Sequence, residues 1–374
     1  MSTSPERCLG NLIKDIEKED EPDEWNSKDE TEYKSSMEQQ FSSKDSSLFS
    51  NNFSKLSLDS SGFTPRKFEE ESTISFSKKS ILSAFNCQKS TKQLQKSLLE
   101  IPKETIDSII NELSGMFSDI IKNKNGNYFC SDLLKVCNKD QRIKILKELS
   151  PTLSDDCTDE FGSHPIQNLI DLSISEEEYK LLLSSFNDLN KILMASLKQN
   201  GSFVIQRLIV HIPENLRKDF NSLFVQLICI LSRDMYGVCT VKKFIGCTKN
   251  ELIMKPILNS ILTNFVNISG NQYGNYLIQY LLEKWWNTEE GTFLKKIIVS
   301  KFPTLANNHY SSYICDLFLK LCNNEEKKSL LSTLNNYMYI KKNNKFKNRI
   351  PLYLNNIISD LKSKDKTNSD KNNK

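Results

Sequence analysis

Asn275, Tyr276 and Gln279 stand close together in an otherwise apolar stretch, NQYGNYLIQYLLEKWW, that runs from Asn271 to Trp286. Two carboxamides one helical turn apart are neighbours on a helix surface and can pair with the edge of a heterocyclic base. A flat ring beside them can stack on the face of that base, which contributes about 1–3 kcal/mol. A single grouping of this kind is ordinary at the start of a helix. Its return along the chain is not.

Six segments share the pattern: NGNYFCSDLL from Asn125, FGSHPIQNLI from Phe161, NGSFVIQRLI from Asn200, YGVCTVKKFI from Tyr236, YGNYLIQYLL from Tyr273 and YSSYICDLFL from Tyr310. Each turns on a small residue, Gly126, Gly162, Gly201, Gly237, Gly274 and Ser311, at separations of 36, 39, 36, 37 and 37. A step of 36 backward reaches Ser90 and a step of 36 forward from Ser311 reaches Lys347, both in degenerate copies. The chain thus holds about eight units, with atypical ends as repeat arrays usually have.

With the small residue as position zero, positions +1 and +5 are Asn127/Ser131, Ser163/Gln167, Ser202/Gln206, Val238/Lys242, Asn275/Gln279 and Ser312/Asp316. Position +2 beside them is Tyr128, His164, Phe203, Cys239, Tyr276 and Tyr313. Most units therefore present two hydrogen-bonding groups flanked by a ring, a trio suited to reading one base per unit of a single strand.

The elements that carry these trios must be helices. Positions +4 (Cys130, Ile166, Ile205, Val241, Ile278, Cys315), +7 and +8 are apolar, and their spacing puts them on one helix face, away from +1 and +5. Amphipathic segments such as DQRIKILKELSPTL, ELIMKPILNSILTNF and EEKKSLLSTL lie between and close each unit against the next. Units of two or three helices stacked at this period make an all-α solenoid. Gly and Pro are scarce, 11 and 10 in 374 residues, which favours helix over a many-turned β fold.

Composition narrows the function classes. No run of about 18 apolar residues suggests a membrane span. The N-terminus shows no basic then apolar leader pattern, so an intracellular protein is expected. The ten cysteines contain no CxxC pair and the three histidines, His164, His211 and His309, are far apart, so neither metal nor cofactor is expected. The thiols read as small buried hydrophobes. SEEEYK, from Ser175, reads as a solvated helix face, and no catalytic triad or phosphate loop is visible, so an enzyme is not expected. Trp285 and Trp286 read as packing residues. Residues 1–80 carry 17 acidic and 11 basic side chains, and the remainder 30 and 39. The acidic, Ser-rich arm of 1–80 cannot bury enough apolar surface to offset its ordering entropy and is expected to be disordered, with Ser4 and Thr64 as phosphorylation candidates. A repeat domain is expected over 81–362 and a flexible basic tail over 363–374.

NQYGNYLIQYLLE and NGSFVIQRLIVH resemble the repeats of Pumilio (PUF) RNA-binding proteins, and the resemblance extends over roughly residues 81–360. It implies a curved superhelix of about eight three-helix repeats whose concave face binds single-stranded RNA, antiparallel to the polypeptide. It further implies a monomeric cytoplasmic regulator that binds mRNA 3′ untranslated regions, with deadenylase or repressor proteins as partners. By the family's code, Asn275 and Gln279 with Tyr276 read uracil, Ser202/Gln206 with Phe203 and Ser163/Gln167 with His164 favour adenine, and Ser312/Asp316 with Tyr313 matches the guanine pair with a shorter acid. Asn127 reads an edge beside Tyr128, although Ser131 is short for a partner. Val238/Lys242 departs from the code, and Lys242 is expected at a phosphate. The last unit supplies Asn348, Arg349 as a stacking residue, and Leu352. Thr91, Lys92 and Gln95 match weakly in the first. Two other readings remain at this point: a nucleolar PUF-like factor in ribosomal RNA processing, and a protein-binding scaffold of the armadillo or HEAT kind.

Overall fold

The computed structural model describes residues 76–340 and 350–372, all within one compact unit, Ile74–Lys374. The arm expected to be disordered, its two phosphorylation candidates, Asn348 and Arg349 lie outside the described residues.

The described residues form helices and connecting turns, with no strand among them. The first half contains α1 (Lys78–Ala84), α2 (Gln88–Leu98), α3 (Lys103–Leu113), α4 (Phe117–Lys122), α5 (Gly126–Val136), α6 (Lys139–Leu149), α7 (Leu153–Asp156), α8 (Ser163–Leu172), α9 (Glu176–Ser184) and α10 (Leu189–Ser196). The second contains α11 (Gln199–His211), α12 (Lys218–Leu231), α13 (Gly237–Cys247), α14 (Glu251–Thr263), α15 (Phe265–Ser269), α16 (Gly274–Trp285), α17 (Glu289–Ala306), α18 (His309–Leu321), α19 (Asn324–Ile340) and α20 (Ile350–Asn372). A short 3₁₀ turn, Glu214–Leu216, precedes α12.

Side-chain caps set many of the starts. Asn138 with Gln141 and Ser175 with Glu178 form reciprocal capping boxes at α6 and α9. Asp188, Asn250, Thr288 and Asn308 each accept a backbone N–H at the starts of α10, α14, α17 and α18.

Packing follows the repeat. The motif helices α2, α5, α8, α11, α13, α16 and α18 stack side by side in that order. An outer row runs α3, α6, α9, and then α12, α14, α17, α19. Each unit touches its neighbours, which is the all-α solenoid of three-helix repeats expected from the sequence. In α12 and α17 the closing helix of one unit continues without a break into the opening helix of the next.

The face expected to be core is core. Every residue at +4 and +7 is buried, and at +8 only Leu319 is partly open. Cys130 and Cys315 fill the same +4 position and Cys137 and Cys322 the same later one; all are free thiols. Burial pushes Cys137, Cys157 and Cys322 up to about 12, so they act as apolar filler rather than thiolates. Trp285 is buried, and the Trp286 ring meets Phe318 at a steep angle and has the Lys295 ammonium 4.0 Å from its centre.

One expectation fails in part. Glu176 and Glu177 are exposed, but Glu178 is fully buried and pairs with buried Arg142 at 2.9 Å. Period alone cannot show that an acidic residue on α9 faces a basic residue on α6. The segment assigned to a flexible tail continues as helix α20 to Asn372, with no Gly or Pro after Pro351 to stop it.

Candidate nucleic-acid interface

The small residue at position zero is fixed by a close backbone approach. A Cβ built on Gly274 would collide with the Ile268 carbonyl oxygen, and one on Gly201 with that of Ala195. On Gly126 it would lie 2.7 Å from Ile120 O, on Gly162 2.7 Å from Asp156 O and on Gly237 2.5 Å from Leu231 O. The carbonyl always belongs to the residue at −6, at the end of the preceding helix. Ser311 converts the same approach into a bond: its hydroxyl donates to the Leu305 carbonyl at 2.9 Å.

An Asn or Asp at −3 steadies the same corner. Asn123, Asp159, Asp234 and Asn271 each accept two backbone N–H groups through one side-chain oxygen, and Asn308 accepts from Ser311. These residues were missed at the sequence level. The signal was present, since Asn or Asp recurs at −3 in five of six units, with Lys198 the exception.

The tight corner directs the +1 side chains inward. Asn127, Ser163, Ser202, Val238, Asn275 and Ser312 are all at most 5% exposed. The Asn275 amide nitrogen donates to the carbonyls of Asn271 (3.1 Å) and Gln272 (2.7 Å), and that of Asn127 to Asn123 (3.0 Å) and Lys124 (2.8 Å). The hydroxyls of Ser202 and Ser312 donate to Gln199 and His309 carbonyls, both at 2.7 Å. The +1 group is thus held by its own first turn and presents mainly acceptor character outward.

The +5 groups lie nearer the surface. Gln167, Gln206 and Gln279 are half-buried and Asp316 is exposed. Gln279 donates to Asn275 Oδ1 at 2.8 Å, which ties the two amides into one unit. The Gln206 amide nitrogen is buried without a hydrogen-bond partner. Such a donor normally finds an acceptor, because leaving it unmet costs about 1–3 kcal/mol. Ser131 is buried, so Asn127 stands without a long partner. The +2 rings divide: Tyr128, His164 and Tyr313 are exposed, Phe203 and Tyr276 half-buried, and Cys239 buried.

Lys242, expected at a phosphate, is only 6% exposed. Its ammonium lies over the rings of Tyr276 (5.9 Å) and Tyr280 (5.8 Å) on α16. A phosphate contact requires it to leave those rings. Burial lowers it to about 8, against weaker opposing effects of Cys239 and Glu283.

The terminal units differ. Thr91 is buried and donates to the Ala84 and Cys87 carbonyls, while Gln95 donates to Asp132 on α5 at 2.5 Å. Leu352 is 60% exposed, and Tyr353 next to it is buried with its hydroxyl 3.0 Å from Asp316 Oδ1. Neither Asp132 nor Tyr353 was singled out in the sequence, because they sit at +6, off the register of the trio.

Among the described residues no group of His, Cys, Asp and Glu could hold a metal ion, and no helix is long and apolar enough to cross a membrane.

A family model described as the Pumilio-family RNA binding repeat matches residues 117–150, 196–219 and 264–290. The chain is 24% identical over 287 residues to Pumilio homolog 12 of Arabidopsis thaliana, covering 75% of this chain and 47% of that protein. It is 24% identical over 200 residues to suppressor protein MPT5 of Saccharomyces cerevisiae, covering 51% of this chain and 23% of that protein. The chain thus spans less than half the length of these curated relatives. Its fold is similar to the RNA-binding domain of yeast Puf5p bound to AAT2 RNA, with a TM-score of 0.62, 20% identity, and coverage of 75% of this chain and 82% of that one. It is equally similar to the Puf4 RNA binding domain bound to the HO endonuclease RNA 3′ UTR recognition sequence, with a TM-score of 0.62, 18% identity, and coverage of 75% and 92%.

Proposed function

Because the chain belongs to the Pumilio family, we propose that it binds single-stranded RNA sequence-selectively, one base per intact unit. On this reading it acts as a monomer in the cytoplasm on mRNA 3′ untranslated regions, and controls translation or message stability through recruited deadenylase or repressor proteins rather than through catalysis.

The observation that carries the reading is the register of the trios on stacked helices. A buried +1 group, a longer +5 group and a ring at +2 recur along α8, α11, α16 and α18, and α5 keeps the buried +1 amide and the ring. A protein-binding scaffold has no need of polar groups so placed. The similar Puf5p and Puf4 domains were solved bound to RNA, the latter to a 3′ UTR recognition sequence.

The chemistry at α16 is concrete. Asn275 has both amide hydrogens on its own backbone, and one Gln279 hydrogen on Asn275. Gln279 keeps a carbonyl acceptor and its second N–H, which match the N3–H donor and flanking carbonyl of uracil. Tyr276 supplies the stacking face. Ser202/Gln206 and Ser163/Gln167 are assigned to adenine. Ser312/Asp316 is assigned to guanine.

The test is binding of the full chain to a randomised single-stranded RNA pool, followed by titration of the enriched sequence. Asn275→Ala with Gln279→Ala is expected to weaken binding about tenfold or more and to relax the base choice at one position. Unchanged affinity and base choice would remove the basis for the reading.

A further inference from the structure

We infer that Tyr353 is a positioning residue for the base subsite of α18: it holds the Asp316 carboxylate in place, so α20 completes the reader carried by the preceding motif helix. This rests on the RNA-binding reading above and deepens it.

Asp316 is one methylene shorter than the glutamate this position takes in the family's guanine pair. A short, exposed acid at the edge of α18 needs a fixed direction to discriminate between bases. Tyr353, on α20, supplies one. Its ring is buried edge-on against Phe302, with centres 5.4 Å apart and planes at 87°. The hydroxyl therefore cannot wander. It lies 3.0 Å from Asp316 Oδ1 and 3.4 Å from the Ser312 carbonyl oxygen. The shorter contact is to the ionised acceptor, the stronger kind of hydrogen bond.

Ser312 completes the arrangement. Its hydroxyl proton goes to the His309 carbonyl, so toward a base it can only accept. With Oδ1 held by Tyr353, the second carboxylate oxygen is the one that accepts from a base. Two acceptors side by side match an edge with adjacent donors, and among the four bases guanine alone has an N1–H beside an N2 amino group.

The arrangement is not an isolated accident of the last unit. The residue at +6 of one motif helix meets the +5 residue of the preceding motif helix at three steps. Gln95 meets Asp132, Lys242 lies over Tyr280, and Asp316 meets Tyr353. Leu352, where other helices carry their edge reader, offers no hydrogen bond.

The experiment selects a randomised single-stranded RNA pool on three full-length proteins: wild type, Asp316→Asn and Tyr353→Phe. Phenylalanine keeps the ring against Phe302, and a thermal melt checks that it does. The expected result is one position in the enriched motif where wild type prefers guanine. Both variants lose that preference there, Tyr353→Phe by roughly tenfold for one charge-assisted hydrogen bond. Other positions stay unchanged, and the double variant loses no more than Asp316→Asn alone. Guanine preference intact in Tyr353→Phe but lost in Asp316→Asn overturns the inference, as does an equal weakening at all positions. If wild type enriches no motif, the RNA-binding reading itself falls, an outcome distinct from either of these.

Discussion

Lys242 shows what a single side chain costs when the repeat pattern is broken. At +5, α8, α11 and α16 place a neutral amide and α18 an exposed acid; here a long cation is folded under Tyr276 and Tyr280. Desolvation lowers it to about 8 from the ordinary 10.5. Between those two values the unfolded chain binds more protons than the folded chain, so the Lys242 contribution makes stability rise with pH across that window. Below it both states are protonated and the penalty is felt in full. Lys242→Met, which keeps the length of the stem, is therefore expected to stabilise the protein at pH 7 by about 1–3 kcal/mol. The gain should shrink as pH approaches 10. Urea midpoints of both proteins at pH 7 and 9.5 measure this, and parallel pH dependences would contradict it. The sequence marked Lys242 as a departure from the trio, since Val238 beside it carries no polar group. It could not show where the ammonium goes, because that is decided by tyrosines on the next motif helix, α16, 34 and 38 positions later.

At the scale of elements, the recurring unit is a corner between two helices rather than a helix. The glycine period was plain in the sequence, and so was the +4/+7/+8 stripe. The reason for the glycine was not, because the carbonyl that excludes a Cβ belongs to the previous helix and no pattern of side chains encodes its position. Gly274 and Ser311 separate the two ways of satisfying this corner. Gly274→Ala drives a methyl into the Ile268 carbonyl and is expected to cost about 1–3 kcal/mol as the helices part. Ser311→Gly tolerates the approach but loses the bond to Leu305, a cost of about 1 kcal/mol plus the flexibility of glycine. Gly274→Ser is the informative third variant: if the serine at this position makes the bond that Ser311 makes, it should be milder than alanine despite its greater size. Denaturant midpoints of the three rank them. Alanine less harmful than serine would show that the corner of α15 and α16 lacks room for that bond.

At the scale of the array, stability passes between neighbouring units, and the Arg142–Glu178 pair is one such link. It joins α6 to α9 across the outer row, with both side chains almost wholly out of water. Burial alone would raise Glu178, yet the N–H groups of Ile174 and Ser175, the Ser175 hydroxyl and Arg142 outweigh it and hold the carboxyl below its ordinary value. The stability it contributes is therefore complete above about pH 4.5 and is lost as pH falls through the lowered folded value. Arg142→Met leaves that charge buried without its cation, and removal of one partner from a buried pair costs about 3–5 kcal/mol. In a compact globule such a loss would be shared by the whole chain. In a solenoid it should be local. Hydrogen exchange of the variant is expected to show faster amides in α5 to α9, with α16 and α18 protected as in wild type. Acid should narrow the difference between the two proteins, since protonated Glu178 no longer needs the arginine. A uniform rise in exchange across all units would mean that the array unfolds as one cooperative block, and the reading of each unit as a separable reader would lose its thermodynamic footing.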